Sequence, residues 1–285
     1  FNFTADFREQ VKQRFVCAYE NGATPNPCID CNRYLKFDRL YHRARLLGCD
    51  CVVTGHYARI RRENGRFLLQ KALDPSKDQS YVLYALTQDE LAHTQFPLGG
   101  LSKAETRRIA QEQGFFNAEK PDSQDICFVP DGDYAAFIRR FTGKTYAGGD
   151  FVDRDGKRLG THHGIIGYTV GQRRGLGIAA GRPLYVTAIQ PETNRVVLGD
   201  NADLFRRELD VRALNWIAFD RPPARLRAKV KVRYRQTEQP ATITVTGEDR
   251  VRVCFDAPQR AITAGQAAVF YDGNTVLGGG TIDKV

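Results

Sequence analysis

Two thiols that stand three positions apart are the residues of this sequence best suited to chemistry. Cys28 and Cys31 occur in TPNPCIDCN, behind a pair of prolines, and we expect a loop there. Close-spaced thiols can form half of a zinc site, act as a redox pair or carry sulfur to a substrate. No segment reads as a secretion signal, so we expect a reducing cytoplasm. In that compartment such a pair is typical of metal binding or catalysis rather than of a structural disulfide.

A second close pair, Cys49 and Cys51, could complete a four-cysteine zinc site, although CxC replaces the usual CxxC. In a strand, however, Cys49, Cys51 and Val53 would share one face. We therefore favour small buried core residues for this pair, with zinc as the alternative.

A third candidate thiol lies far along the chain. Cys127 stands in PDSQDICFVPDG, between acidic and turn-forming residues. From the sequence alone we favour an ordinary buried cysteine beside Ile126 and Phe128. A partnership with Cys31 in space stays open, because residues distant in sequence can be close in the fold.

Two short polar stretches could contact a ligand. Gly55 and His56 in VTGHYARI follow a short apolar strand, and ligands of open α/β sheets bind at the carboxyl ends of strands. A glycine-assisted turn with a solvated histidine explains this stretch equally well. Lys77, Asp78 and Gln79 precede an apolar segment, which by itself predicts only a loop with a helix cap.

A basic strand gives the clearest indication of a partner. In LRAKVKVRYR, residues 226–235, alternate positions are apolar and the intervening face is uniformly basic, and the net charge is +9. On a barrel wall such a face would follow a phosphate backbone, and Arg173 and Arg174 in a glycine-rich loop add to it. No apolar run is long enough to span a bilayer. We therefore expect nucleic acid as the partner. The basic face consists of Arg227, Lys229, Lys231, Arg233 and Arg235.

The elements that must position these residues change character along the chain. Apolar spacing predicts helices over 7–19 and 35–47 with a short buried strand after them, a pattern typical of an α/β layer with a parallel sheet. Ser102 and Glu105 form the capping box of a further helix. Turn signals and alternating segments from about residue 145 predict mostly β structure. We expect three domains, over 1–140, 141–205 and 206–285.

Several ordered blocks together resemble one family. They are TPNPCIDCNRYLKF, TGHYARI, KDQSYVLYALT, FPLGGLSKAETR, SQDICFVPDGDY, YTVGQRRGLGI and RYRQ. Over essentially its whole length the sequence resembles the tRNA-specific 2-thiouridylase family (MnmA/TrmU). The resemblance implies an α/β domain of PP-loop ATP-pyrophosphatase type, a small central domain and a C-terminal β-barrel. It also implies ATP-dependent 2-thiolation of the wobble uridine in tRNAs for Lys, Glu and Gln.

The resemblance also implies roles for single residues. Cys31 corresponds to the nucleophile and Cys127 to the persulfide carrier. Gly55 corresponds to an ATP contact, with Mg²⁺ as the counterion of the nucleotide. Many relatives have Asp at the position of Cys28. The residues implied to contact tRNA are Asn26, Pro27, Cys28, His56, Lys77, Asp78, Gln79, Arg233, Tyr234 and Gln266.

One family feature is absent from the printed sequence. The ATP-binding loop of the form SGGxDSS does not occur, and Phe1 aligns after it. We therefore expect an N-terminally truncated, incomplete nucleotide domain. The chain as printed is expected to show no ATP–pyrophosphate exchange.

Two routes for the sulfur stay open. A persulfide on Cys127, supplied by a persulfide donor or a cysteine desulfurase relay, can be transferred with formation of a Cys31–Cys127 disulfide. Alternatively, Cys28, Cys31 and Cys127 could hold an iron–sulfur cluster with one open iron. We favour the persulfide route and expect a cytoplasmic monomer. Two further hypotheses are a zinc-stabilised RNA-binding module without catalysis and a PP-loop ATPase acting on a small amide or carboxylate.

Overall fold

The first region of the protein is built on two long helices. The computed structural model describes residues 1–119 and 126–284. Thr4–Phe7, Arg8–Gln13 and Arg14–Glu20 follow one another without a break and form the first helix. This confirms the helix predicted over 7–19.

The second long helix, called the thiol helix below, runs through Pro27–Asp30, Cys31–Arg39 and Leu40–Leu46. It begins well before the helix predicted from residue 35, so the loop expected around the CxxC pair is wrong. Asn26 caps this helix, and Pro27 occupies its first turn, where a missing N–H breaks no helical hydrogen bond. The prolines therefore mark a helix start.

A small parallel sheet lies beside the thiol helix, where Val52–Val53 pairs with Thr94–Gln95. Because this strand has only two residues, Cys49 and Cys51 precede it, and the buried face predicted for them is wrong. Cys49 is exposed, Cys51 is half-buried and Val53 is 57% exposed. The capping box predicted at residues 102 and 105 is confirmed. The shorter helices of this region are Ser80–Leu83, Gln88–Ala92, Lys103–Glu112 and Tyr134–Thr142.

The middle region is a four-stranded sheet. Its spatial order is Arg158–His162, Gly149–Val152, Arg195–Gly199 and Tyr185–Gln190. The second and third of these strands are parallel, and the other pairs are antiparallel. The inner face packs aromatic and branched residues around the fully buried Phe151.

The last region is a closed barrel of six antiparallel strands. The barrel closes because its fifth strand pairs with both the second strand and the sixth strand. This pairing leaves the ring of six strands without a free edge. The strands are Phe205–Trp216, Arg225–Lys231, Gln239–Gly247, Arg250–Arg260, Ala267–Asp272 and Thr275–Lys284.

The α/β region and the barrel are joined by a common sheet and a common hydrophobic core. The hairpin Ala58–Glu63/Arg66–Lys71 extends the barrel sheet through the pairing of Gln70 with Thr275. Barrel residues such as Tyr271 belong to the same buried cluster as Phe37 and Tyr81. The fold class expected from the sequence, an α/β domain followed by a central domain and a C-terminal β-barrel, is confirmed. Within the described ranges, no helix combines the length and apolarity that crossing a bilayer requires.

Candidate active site

The start of the thiol helix presents the two close-spaced thiols. The Asn26 side chain accepts a hydrogen bond from the Cys28 backbone N–H at 3.1 Å and fixes the first turn. One turn on, the buried Asn32 donates from Nδ2 to the Val82 carbonyl oxygen at 3.0 Å and holds the helix against the core. Cys28 is exposed and Cys31 half-buried, so both thiols can be reached from solvent.

Cys127, far along the chain, lies near enough to these two thiols for its charge to raise the pKa of both. It is exposed, so the burial predicted for it is wrong; Ile126 and Phe128 pack against the first helix instead. Its charge acts on both partners. Desolvation raises the pKa of Cys28, and the neighbouring Cys31 and Cys127 raise it further. Residues 123–125 of the SQDICF block lie outside the described residues.

The pKa of Cys31 reflects a balance of opposing charges. Desolvation raises this pKa, Lys36 lowers it, and Cys127 and Asp30 raise it. Lys36 also lowers the pKa of Cys28. All seven cysteines are free thiols. The residues that the structure describes include no set of three or more His, Cys, Asp or Glu side chains arranged to hold a metal ion. The four-cysteine zinc arrangement is therefore not formed.

His56 is buried rather than solvated. It is 8% exposed, and its ring forms a triangle with the rings of Phe37 and Phe96, with centroid distances of 5.9 and 5.8 Å from His56 and 6.0 Å between the two phenylalanines. Nδ1 lies 2.8 Å from Thr54 Oγ1, and Nε2 lies 3.4 Å from Lys36 Nζ. Burial and, to a smaller extent, Lys36 lower the pKa of His56 to about 4. The histidine is therefore neutral at physiological pH.

The polar loop at residues 77–79 is tied to the segment that carries His56. Tyr57 N–H donates to Gln79 Oε1 at 2.9 Å, and Gln79 N–H donates to the Tyr57 carbonyl oxygen at 2.8 Å. Asp78 accepts from the backbone N–H groups of Ala72 and Ser80, each at 3.1 Å. Lys77 stands half-buried at the start of this loop. Asp78 and Gln79 thus shape the loop through bonds within the protein.

The barrel brings its own predicted residues to this loop. Tyr234, 37% exposed, has its ring 6.0 Å from that of the buried Tyr81, and Lys231 Nζ lies within 6 Å of both ring centroids. The charge of Asp78 raises the pKa of Lys231, although burial lowers it overall. Loop 77–79 and the barrel turn at 233–234 therefore face each other.

Arg233 does not lie on the solvent face predicted for it. Its guanidinium donates to the Ala261 carbonyl oxygen at 2.8 Å, to Thr263 Oγ1 at 2.7 Å and to the Val170 carbonyl oxygen at 3.2 Å. The strand ends at Lys231, and the turn that follows directs this side chain inward.

The other basic residues of this strand differ in exposure and in their partners within the protein. The apolar face is confirmed, with Val230 and Val232 each 1% exposed. Arg227, however, pairs with Asp256 at 2.6 Å, so part of the charge of this uniformly basic face is balanced within the barrel. Lys229 is exposed, as are Arg173 and Arg174 of the glycine-rich loop.

A barrel loop also touches the residues before the thiol helix. Gln266 Nε2 donates to the Thr24 carbonyl oxygen at 2.7 Å, and Thr24 N–H donates to the Ala264 carbonyl oxygen at 2.9 Å. The fit is close: a Cβ on Gly265, whose φ is +86°, would lie 3.0 Å from Ala23 Cβ. Gln266 thus contacts the segment that leads into Asn26 and the thiol helix.

The opposite side of the thiol helix borders a cleft of about 670 Å³ that reaches the barrel. Asp30 lines this cleft, and its carboxylate lies 3.5 Å from the Arg14 guanidinium. Burial raises the pKa of Asp30 to about 6, although Arg14 and Arg33 oppose the shift. This carboxyl group is therefore partly protonated under mildly acidic conditions.

Of the residues predicted for the site, Asn26, Pro27, Cys28 and Cys31 lie in the first turns of the thiol helix, and His56 contacts Lys36 further along it. Gly55 lies exposed beside His56, after the short parallel strand. Sequence reasoning missed Lys36, Asn32 and Tyr81, although all three fall within blocks that carry the family resemblance. The signal that could have singled out Lys36 is its position on the same helix as Cys31.

Comparison with known proteins matches three family profiles to consecutive parts of the chain. Residues 1–131 match the tRNA methyl transferase HUP domain, residues 135–200 the tRNA methyl transferase PRC-barrel domain, and residues 206–282 the Aminomethyltransferase beta-barrel domain. The fold and site thus define a three-domain protein with an α/β domain of the HUP class, for which ATP use is implied.

Curated relatives narrow this class. Proteins named tRNA-specific 2-thiouridylase MnmA from Clostridioides difficile and Lachnoclostridium phytofermentans are each 49% identical over 99% of this chain, which covers 79% and 80% of their lengths. One named tRNA-specific 2-thiouridylase MnmA 1, from a Thermoanaerobacter species, is 50% identical over 99% of this chain and 78% of its own length. The chain belongs to the tRNA-specific 2-thiouridylase family.

Proposed function

We propose that this protein transfers persulfide sulfur to C2 of the wobble uridine in tRNAs for Lys, Glu and Gln, in an ATP-dependent reaction in the cytoplasm. The observation that carries the proposal is that Cys127, distant in sequence, lies near enough to Cys31 for its charge to raise the pKa of that thiol. The names of the relatives, which describe tRNA-specific 2-thiouridylases, support the same reaction.

The two thiols account for the electrons of the transfer. The C2 carbonyl of uridine is a poor electrophile, and adenylation of its oxygen makes AMP the leaving group. The terminal sulfur of a Cys127 persulfide attacks C2, and the C–O bond to AMP breaks. The Cys31 thiolate then attacks Cys127 Sγ, which breaks the S–S bond and leaves the sulfur on the uridine. The two thiols are oxidised to a disulfide as that sulfur is reduced, and an external thiol restores them by exchange.

The exposure of the thiols suits these different tasks. Cys127 is exposed, which allows a persulfide donor to reach it. Cys31 is half-buried beside Lys36, where a thiolate gains from a neighbouring cation. Cys28 takes no part in this sequence of bonds.

Gly55 fits a nucleotide contact. It is exposed and follows the carboxyl end of Val52–Val53, and the nearest side chain to a Cβ at this position would be Leu98, at 3.6 Å. ATP, with Mg²⁺ as counterion, supplies the adenylate. No contact to its phosphates is assigned, because the SGGxDSS loop does not occur in the printed sequence.

A surface for tRNA is available where the barrel meets loop 77–79. The exposed ring of Tyr234 lies beside the Lys231 ammonium, and an aromatic face next to a cation is suited to an unstacked base and its phosphate. Lys229, exposed on the same strand as Lys231, adds a positive charge for the nucleic-acid backbone.

The test replaces each thiol in the full-length protein. Cys31→Ser and Cys127→Ser should each abolish 2-thiouridine formation, measured by mass spectrometry of tRNA nucleosides, and leave tRNA binding near normal. Cys49→Ser, which changes an exposed cysteine of the other close pair, should retain activity. Substantial thiolation by either of the first two variants would remove that cysteine from the mechanism.

A further inference from the structure

The cation beside Cys31, Lys36, is bonded to a side chain from another element of the fold. Cys31–Arg39 is wound as a π-helix, with i→i+5 hydrogen bonding, so five residues make about one turn. This winding puts Lys36 about one turn along the helix from Cys31 and on a similar side. Lys36 is half-buried, and its Nζ lies 3.4 Å from Nε2 of His56.

The direction of this hydrogen bond determines the state of His56. An ammonium has donors only, so Lys36 donates and His56 Nε2 accepts. The ring proton therefore sits on Nδ1, which donates to Thr54 Oγ1 at 2.8 Å. Both ring nitrogens are engaged inside the protein, and the ring packs against both Phe37 and Phe96. In this arrangement His56 holds the Lys36 ammonium and has no ring nitrogen left to offer tRNA.

The charges around Cys31 show what the held ammonium does. Cys28 and Cys127 become anions when they ionise, and Asp30 is a carboxylate on the same helix that is itself opposed by Arg14 and Arg33. Of these anions, Cys127 and Asp30 raise the pKa of Cys31 and so make its thiolate less favourable. Lys36 acts in the other direction on both Cys28 and Cys31. A nucleophilic sulfur in this setting needs a cation that stays in place.

We propose that Lys36, held by neutral His56, is the positioning residue that supplies the positive charge for the anionic sulfur on Cys31. This inference rests on the proposed sulfur transfer for its purpose, but the effect on Cys31 exists without tRNA or ATP. It assigns His56 a role inside the protein in place of the tRNA contact that the family resemblance implies.

The test measures the reactivity of Cys31 alone. In full-length protein carrying Cys28→Ser and Cys127→Ser, alkylation of Cys31 by iodoacetamide is followed by mass spectrometry across a pH series. Lys36→Gln should move the midpoint of the pH–rate profile up by about one unit, which slows alkylation near neutral pH about tenfold. Lys36→Arg, which keeps a charge and a donor for His56, should restore most of the rate. An unchanged profile in Lys36→Gln overturns the proposal.

A pair of His56 variants separates the two possible roles of the histidine. Gln presents an acceptor near the position of Nε2, so His56→Gln should keep the profile of Cys31, and His56→Phe should shift it as Lys36→Gln does. Normal reactivity in both variants, together with weakened tRNA binding in both, would show that His56 serves tRNA and not Lys36. Melting temperatures identify a variant that fails to fold, in which case the Lys36 pair decides. Failure of the sulfur-transfer proposal is seen separately, as thiolation retained by Cys31→Ser.

Discussion

Two buried groups near the thiol helix should give opposite pH dependences of stability. His56 has a folded pKa of about 4 against an ordinary 6.5, so between these values the unfolded chain binds the extra proton. The stabilisation from the neutral ring is therefore complete above about pH 6.5 and is lost as pH falls towards 4. At 1.36 kcal/mol per unit, the shift corresponds to about 3 kcal/mol.

Asp30 should give the opposite pH dependence of stability. Its folded pKa is about 6 against an ordinary 3.8, so in this window the folded protein binds the extra proton. Its contribution is complete below about pH 3.8 and is lost as pH rises through 6, again by about 3 kcal/mol. Between pH 4 and 6 the two terms nearly cancel, and single variants should uncover each of them.

The assay is urea unfolding, followed by circular dichroism of the helices, at a series of pH values from 4 to 7. His56→Gln removes the rising term, so its free energy of unfolding should decrease with pH relative to wild type. Asp30→Asn removes the falling term and should show the reverse. His163→Gln changes an exposed histidine and serves as the matched control. Parallel profiles for wild type, His56→Gln and Asp30→Asn would refute the burial argument for both groups.

Two further predictions concern the barrel. Arg233→Ala leaves two carbonyl oxygens and a hydroxyl without their donor and should lower the free energy of unfolding by about 1–3 kcal/mol. Lys229→Ala should preserve stability and reduce the salt slope of tRNA binding by about one. The reverse pattern in urea and salt titrations would show that Arg233 lies on the solvent face. Gln266→Ala breaks the contact with Thr24 and should speed amide exchange at Thr24 about 5- to 150-fold, the equivalent of 1–3 kcal/mol. Unchanged exchange together with weakened tRNA binding would make Gln266 a tRNA contact only.

Features that depend on nearby residues could be predicted from the sequence. The helix at 7–19 follows from apolar spacing, and the capping box at Ser102 and Glu105 follows from two side chains three positions apart. The same local signals can still mislead. The prolines before Cys28 suit a loop or a helix start equally well, and the cap made by Asn26 decides between them.

Features that depend on distant partners could not be predicted. Alternation places Arg233 on the outer face of a strand, but its acceptors on Val170, Ala261 and Thr263 come from other parts of the chain. The pair formed by Lys36 and His56 joins two elements, and no periodicity within either element reveals it. The blocks that carry the family resemblance include both of these elements. The resemblance did not indicate which side chains form hydrogen bonds within the protein.

The pairing of the early hairpin with the last barrel strand has a consequence for synthesis on the ribosome. The hydrogen bond between Gln70 and Thr275 spans 205 residues, and at about 5–20 residues per second that interval lasts about 10–40 s. During this time the hairpin edge and the face of Tyr81 lack the strands that cover them in the finished protein. Cys28 and Cys31 emerge early, but the barrel loop that bonds to Thr24, just before the thiol helix, is made near the end of the chain. A nascent chain therefore carries these thiols before the start of their helix has its contact with the barrel.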